Sequence, residues 1–181
     1  MLDVLAAAFA DDPVVAHFIP RDVSRRARRL RALFRMDLAR SEQGGGAWTV
    51  PGGAAVWLPP GHAQPTTAES LRQLPDVMRA FGSRVRDAAR IQQVMQRLHP
   101  TEPHWYLLFV GARPEAQGRG VGTRLLAPVL DICDREGIGA YLEASGRRNR
   151  RLYQRLGFVD HGAQRLPPDG PEIYPMWRDP H

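Results

Sequence analysis

The sequence predicts an α/β fold with a mixed sheet, and three observations carry that reading. The run "HWYLLFVGA", residues 104–112, is apolar throughout, as expected of a central strand covered on both faces. A glycine-rich turn follows it and leads into the helical run "VGTRLLAPVLDICDRE", closed by Gly137 as a C-terminal cap. A second apolar strand, "IGAYLEASG", comes next, so strand, helix and strand alternate as an α/β architecture requires.

The other elements can be read in order. Leu2, Leu5, Ala6 and Phe9 recur at helical spacing over residues 2–10 and stop before "DDP". A helix over about 22–41 turns Arg25, Arg28, Arg29 and Arg35 outward and Leu30, Leu33, Phe34 and Leu38 inward. "GAWTVPGGAAVWLPPG" reads as two short strands joined at Pro51-Gly52-Gly53. Residues 67–98 are helical, with breaks expected near Pro75 and Gly82. Their expected buried face is Leu71, Leu74, Met78, Phe81, Val85, Ile91, Val94 and Leu98. Pro128 lies inside the helix before Gly137 and predicts a kink. "RRNRRLYQRLG" is a short helix, and "FVDHG" and "EIYPMWRD" are the last strands.

With 181 residues, 43% of them hydrophobic, the chain is read as one domain spanning 1–181. It has no apolar run of 18 residues, and "MLDVLAAAFADDP" lacks the basic region and cleavage pattern of a signal peptide. A cytoplasmic protein that does not enter membranes is therefore expected. The one cysteine, Cys133, is expected to be a buried apolar residue. All 25 basic residues are arginine, and the net charge of +6 favours anionic ligands: nucleic acid, a membrane surface or a phosphorylated cofactor. Position has to choose among them.

A strand end, a turn of small residues and a helix starting near Gly120 make an anion site. The first helical N–H groups point outward with the helix dipole behind them, and glycine lets a phosphate approach the backbone. No Lys-Ser or Lys-Thr follows the last glycine, so the P-loop pattern fails. The dinucleotide pattern fails as well, because Thr123 stands at its third glycine position.

"VGARPEAQGRGVG", Val110 to Gly122, resembles the acetyl-CoA signature of the GNAT N-acetyltransferase superfamily, Gln/Arg-x-x-Gly-x-Gly/Ala, with Gln117, Gly120 and Gly122 in register. "NRRLYQRLGF", Asn149 to Phe158, is similar to that family's second signature, Asn-x-x-x-Tyr-x-x-x-Gly-Phe. With "LAAAFADDP", "AAVWLPPG" and "EPHWYL", the chain is further similar to the puromycin N-acetyltransferase-like proteins, more loosely in its N-terminal half.

The resemblance implies a GNAT-like, largely antiparallel sheet flanked by helices, with two central parallel strands splayed, here 104–112 and 140–145. It implies acetyl-CoA as co-substrate, its pantetheine arm paired with Leu108 and Val110. The remaining cofactor residues it implies are Gln117, Gly118, Arg119, Gly120, Val121, Gly122, Thr123, Asn149 and Tyr153, with Arg124 and Arg148 as further phosphate partners. Chains of this family begin with a strand before the first helix, whereas this one starts within that helix. Either the chain starts upstream of Met1 or the first edge strand is absent, which leaves "AWTVP" as an edge that a homodimer partner would cover.

Acetyl transfer to an amine needs an unprotonated nucleophile and a proton for the departing thiolate. Asn149 and Tyr153 are four apart and share a helix face, and the resemblance puts Tyr153 near the sulfur as general acid. Glu143 interrupts an apolar strand, where a carboxylate needs either a partner or a task, so it is the first candidate base, with an arginine ion pair as the structural alternative. His104 and Glu102 follow it. The histidines show no metal-ligand spacing, so no metal is expected. Phe9, Trp57, Phe81, Trp105 and Tyr106 are candidate walls for the acceptor, a small-molecule amine such as an aminonucleoside or another antibiotic. An acetyltransferase of protein amines, a non-catalytic acyl-CoA sensor and a basic nucleic-acid binder remain as alternatives. The last is disfavoured because Arg25–Arg35 alternate with core positions.

Overall fold

The computed structural model describes residues 1–19, 23–42, 46–167 and 169–181. Its strands are β1 (Ala47–Val50), β2 (Gly53–Leu58), β3 (His104–Ala112), β4 (Gly139–Ala144), β5 (Val159–Asp160), β6 (Gln164–Arg165) and β7 (Glu172–Arg178). They form one sheet in the order β1-β2-β3-β4-β7-β5, with β6 added to β7. Among the described residues only β3 and β4 run parallel; every other pair is antiparallel. This is the mixed α/β sheet with a central parallel pair that the sequence predicts, and β1 lies at its edge.

The helices explain why β2 and β3 are apolar on both faces. On one face, α6 (Val121–Glu136) buries Leu125, Leu126, Val129 and Cys133 against Ala55, Trp57, Trp105, Leu107 and Leu142. On the other, α1 (Leu2–Ala8) and α3 (Val23–Glu42) bury Leu5, Leu30, Leu33 and Phe34 against Ala54 and Val56. The expected start of the second helix, Asp22, lies outside the described residues. A separate cluster joins α2 (Pro13–Phe18) and α5 (Val85–Leu98) to the β6–β7 end, through Val14, Ile91, Leu166 and Ile173. Between these two groups of helices the sheet face over β3 and β4 is left open.

Four sequence expectations need correction. The stretch after "DDP" is not a simple stop: Asp12 caps a further short helix, α2, whose first residue is Pro13. Helix α4 (Thr67–Phe81) runs unbroken through Pro75, started by a capping box between Thr66 and Glu69, and ends only at Gly82. Its buried face is Val77, Ala80 and Phe81 against α3, while Leu71, Leu74 and Met78 are 69%, 54% and 51% exposed. Phe81 is buried as expected, whereas Leu71, Leu74 and Met78 lie on the outer side of the helix. Trp57 and Trp105 pack in the α6 core rather than walling an acceptor site.

Arg178 ties the end of β7 to α6. Its guanidinium is 5% exposed, donates to both Asp134 oxygens at 2.7 and 2.8 Å, and donates through Nε to the Leu156 carbonyl. The Arg178 hydrogen bonds hold the Asp134 carboxyl down to about 2. Because that folded-state value is depressed, the stabilisation is present above the ordinary carboxylate range and is lost as pH falls toward 2. Asp134→Asn leaves the buried guanidinium without its counter-charge and is expected to lower unfolding free energy by about 2–3 kcal/mol in urea titrations at pH 7. A change below about 0.5 kcal/mol, the range of an ordinary surface substitution, would contradict this assignment.

Candidate active site

The site begins where parallel pairing ends. β3 and β4 are in register at His104–Gly139, Trp105–Ala140 and Tyr106–Tyr141, and no pair follows, although β3 continues to Ala112 and β4 to Ala144. A bulge in the pairing of β2 with β3 leaves Leu108 without a partner, so the alternation of side chains shifts there. Leu107 and Val110 face α6, whereas Leu108 and Phe109 face α1 and α3. The result is a wedge between the two central strands with the backbone of 107–112 along one wall.

Two spaces open into this wedge. A cleft of about 300 Å³ is lined by Val110–Ala112, Gln117, Gly118, Gly120–Thr123, Arg148, Asn149, Leu152 and Tyr153. A cavity of about 190 Å³ lies on the α1/α3 face of the sheet, where α5 and residues 63–64 also border it. Phe9, Asp12, Val110, Asn149 and Tyr153 border both spaces.

The cleft is built for an anion. Gly118 and Gly120 have φ of +76° and +72°, and a Cβ on either would meet no atom within 4 Å, so each shows open backbone in a conformation that disfavours other residues. Gly120 is the N-cap of α6, and no side chain caps this helix, which leaves its first amides directed out of the turn. Gln117 Nε2 donates to the Ala112 carbonyl at 3.2 Å, and Arg148 Nη1 donates to Gln117 Oε1 at 2.9 Å, fixing a guanidinium beside the turn. A pyrophosphate fits these donors. Gly122 has another purpose: a Cβ there would come within 2.8 Å of Leu152 Cδ2, so its absence lets α7 (Arg147–Arg155) pack against α6. Arg119 and Arg124 do not line the cleft, and Leu108 borders the cavity instead.

The cavity holds the titratable groups. Glu143 lies on β4 with Tyr141 on one side and Ser145 on the other at two-residue spacing, hence on one face. Its Oε2 accepts a hydrogen bond from the Tyr106 hydroxyl at 2.8 Å, and its Oε1 is buried with no partner. Burial pushes this carboxyl up to about 7, against the pull of Tyr106 and then Tyr141. The partner is thus a phenol and not an arginine. Tyr153 is 6% exposed, and burial, followed by the charge of Asp12, drives its phenol well above the ordinary tyrosine value. It stays protonated across the working pH range.

His104 does not line the cavity. Its Nδ1 donates to the Glu102 carbonyl at 2.6 Å, which leaves Nε2 to accept from His99 Nε2 at 3.0 Å. Glu102 itself is exposed. The histidine that does border the cavity is His99, pushed down to about 4 by burial and by His104, and therefore neutral.

The sequence reading missed Asp12, Ser145, Asp37 and His99. Ser145 Oγ donates to Asp12 Oδ2 at 2.6 Å, while Asp12 Oδ1 accepts from the amides of Val14 and Val15 at 2.9 and 3.0 Å. The Asp-Pro helix-start signal in "DDP" was available to find the cap, though not its partner 133 residues away. Asp37 and His99 carry no local signal; only tertiary packing turns them into the cavity.

The model of the Acetyltransferase (GNAT) family matches residues 84–158. An uncharacterized N-acetyltransferase of Schizosaccharomyces pombe is 46% identical over 55 residues; the match covers 30% of this chain and 22% of that relative, about a fifth of its length. The crystal structure described as histone acetyltransferase HPA2 and related acetyltransferase from Corynebacterium glutamicum superimposes with a TM-score of 0.72 at 30% identity, covering 99% of this chain and 89% of that one. Arylalkylamine N-acetyltransferase 2 from Aedes aegypti shares the fold at 12% identity, with a TM-score of 0.64 and coverage of 99% and 93%. The sheet with one splayed parallel pair, the glycine turn capping α6 and these matches agree: the chain belongs to the GNAT acetyltransferase family, a family of acyltransferases.

Proposed function

We propose that the chain acts as one domain that transfers the acetyl group of acetyl-CoA directly to the amine of a small molecule. The observation that carries this reading is the meeting of an anion cleft and a largely apolar cavity at Tyr153, Asn149, Asp12 and Val110. Acetyl-CoA supplies the activated thioester. The residues to hold it are Gln117, Gly118, Gly120–Thr123 and Arg148 at the pyrophosphate, with Val110 and the open backbone of β3 along the pantetheine arm. Asn149 borders the same cleft one helical turn before Tyr153.

The acceptor enters from the other space. Walls supplied by α5 and by residues 63–64 enclose it, and about 190 Å³ suits a small amine better than the surface of a folded protein. An aminonucleoside or other antibiotic, as for puromycin N-acetyltransferase-like proteins, and an arylalkylamine, named for the structural neighbour from Aedes aegypti, both belong to this class. In the transfer, the amine nitrogen forms the new N–C bond and the C–S bond breaks. The proton lost by the amine goes to Glu143, whose Oε1 has no other partner. The proton gained by the thiolate comes from the Tyr153 phenol. Asp12, held by Ser145 and the start of α2, lies beside Tyr153 at the junction of the two spaces and raises its phenol further, which keeps the proton on Tyr153 until the thiolate takes it.

Incubation with acetyl-CoA and a panel of small amines, puromycin included, is expected to release free thiol in an amine-dependent way. Micromolar acetyl-CoA binding with no thiol release from any amine would indicate a sensor instead. In the same assay Tyr153→Phe and Glu143→Gln are each expected to lower kcat by roughly 10²- to 10⁴-fold. Glu143 must be ionised to act, so wild-type kcat/KM is expected to rise with pH through about 7, and Glu143→Gln to lose that limb. Unchanged turnover in either variant removes that residue from its role.

A further inference from the structure

The acceptor cavity carries a charge opposite to that of the chain. The protein is +6 overall, yet Asp12, Asp37 and Glu143 line the cavity, and Arg40 is the one arginine among its described lining residues. Arg40 is already engaged: it donates to Asp37 Oδ1 at 3.3 Å, to the His62 carbonyl at 3.0 Å and to the Ala63 carbonyl at 2.6 Å. Burial keeps His99 neutral. Asp12 has both oxygens occupied by Ser145 and the α2 amides.

The other two carboxylates are underused. Glu143 Oε1 is buried without a partner, and Asp37 has one long contact to Arg40 although its side chain is only 15% exposed. Burial raises the Asp37 carboxyl to about 6, so it is still largely ionised at neutral pH. The two groups come from different elements, Asp37 from α3 and Glu143 from β4. Both act on Tyr106, whose hydroxyl bonds Glu143 and whose phenol feels the charge of Asp37. Apolar side chains, among them Leu33, Phe81, Ile91 and Leu108, make up much of the remaining wall. Such an arrangement matches a ligand with two cationic ends and an apolar middle. A monoamine would meet Glu143 and leave Asp37 with only its single 3.3 Å contact to Arg40, and an amino acid would bring a further negative group among these carboxylates.

We infer that the preferred acceptor is a dication, with the amine to be acetylated directed to Glu143 and a second ammonium or guanidinium bound by Asp37. Asp37 is thereby a specificity residue. The inference rests on the acetyl-transfer reading above and names the substrate class for the same site.

The test compares kcat/KM for α,ω-diaminoalkanes with n-alkylamines of equal chain length, by thiol release. The wild type is expected to favour the diamine by about 10- to 100-fold, the range of one charge-assisted hydrogen bond. In Asp37→Asn that ratio is expected to fall toward one, with acetyl-CoA affinity measured by calorimetry as the check on folding. Should Asp37→Asn fail to fold, Asp37→Glu keeps the charge and advances it by one methylene, so the best diamine is expected to become shorter. A wild-type ratio near one, a ratio that survives in Asp37→Asn, or an unmoved length optimum in Asp37→Glu overturns the assignment of a dication to Asp37. Turnover of monoamines and diamines alike overturns only this inference; acetyl-CoA binding without turnover of any amine overturns the acetyl-transfer reading beneath it.

Discussion

The parallel pairing of β3 with β4 stops after Tyr106, and the rest of the site depends on that stop. Buried backbone N–H and C=O groups are almost always bonded, so an unpaired stretch in the middle of a sheet calls for another partner. The strands that part there are not frayed ends: β3 remains bonded to β2 as far as Ala112, and β4 to β7 as far as Ala144. Each strand is held rigidly from its far side while the space between them opens. The bulge at Leu108 belongs to the same construction, because it turns Leu108 and Phe109 toward the cavity face and Val110 toward the cleft face.

Around this wedge the fold keeps polar groups in places where burial works against them. Glu143, Asp37, His99 and Tyr153 all have their ionisation moved by desolvation first and by neighbours second. None belongs to the apolar clusters that hold the helices on the sheet, except Tyr153, whose ring packs edge-on against Phe158 at 5.9 Å and so fixes the phenol at the junction. A group used in this way costs stability unless a ligand supplies the missing partner, and such costs concentrate at functional sites. The neutral His99–His104 pair, closed by the Glu102 carbonyl, packs against Tyr106 and Tyr141, and Tyr106 in turn donates to Glu143.

What could be read from the sequence was local. Strand β3 and helix α6 end where the apolar run and the glycines end, and the Gln117–Gly122 turn is visible because its conformation dictates its residues. Asn149 and Tyr153 were legible as a pair because one helical turn separates them. On α4 the sequence places Phe81 correctly but not its neighbours, for a physical reason: Leu71, Leu74 and Met78 have proper helical spacing with it, but Val77 and Ala80 adjoin it too, and only the position of α3 decides between the faces. Asp12 with Ser145, and Asp37 with the cavity, are contacts between distant elements. No spacing rule encodes them, so of the carboxylates lining the cavity only Glu143 is legible in the sequence, through the apolar strand it interrupts, while the glycine turn of the cleft is plain.

Amide hydrogen exchange, with and without CoA, follows the wedge directly. If the unpaired edge of β3 is where the pantetheine arm lies, CoA slows exchange within Leu107–Ala112 as well as across Gly118–Thr123, and the β2–β3 and β4–β7 ladders change little. Protection confined to Gly118–Thr123, with β3 exchanging as before, would contradict a cofactor arm between the splayed strands.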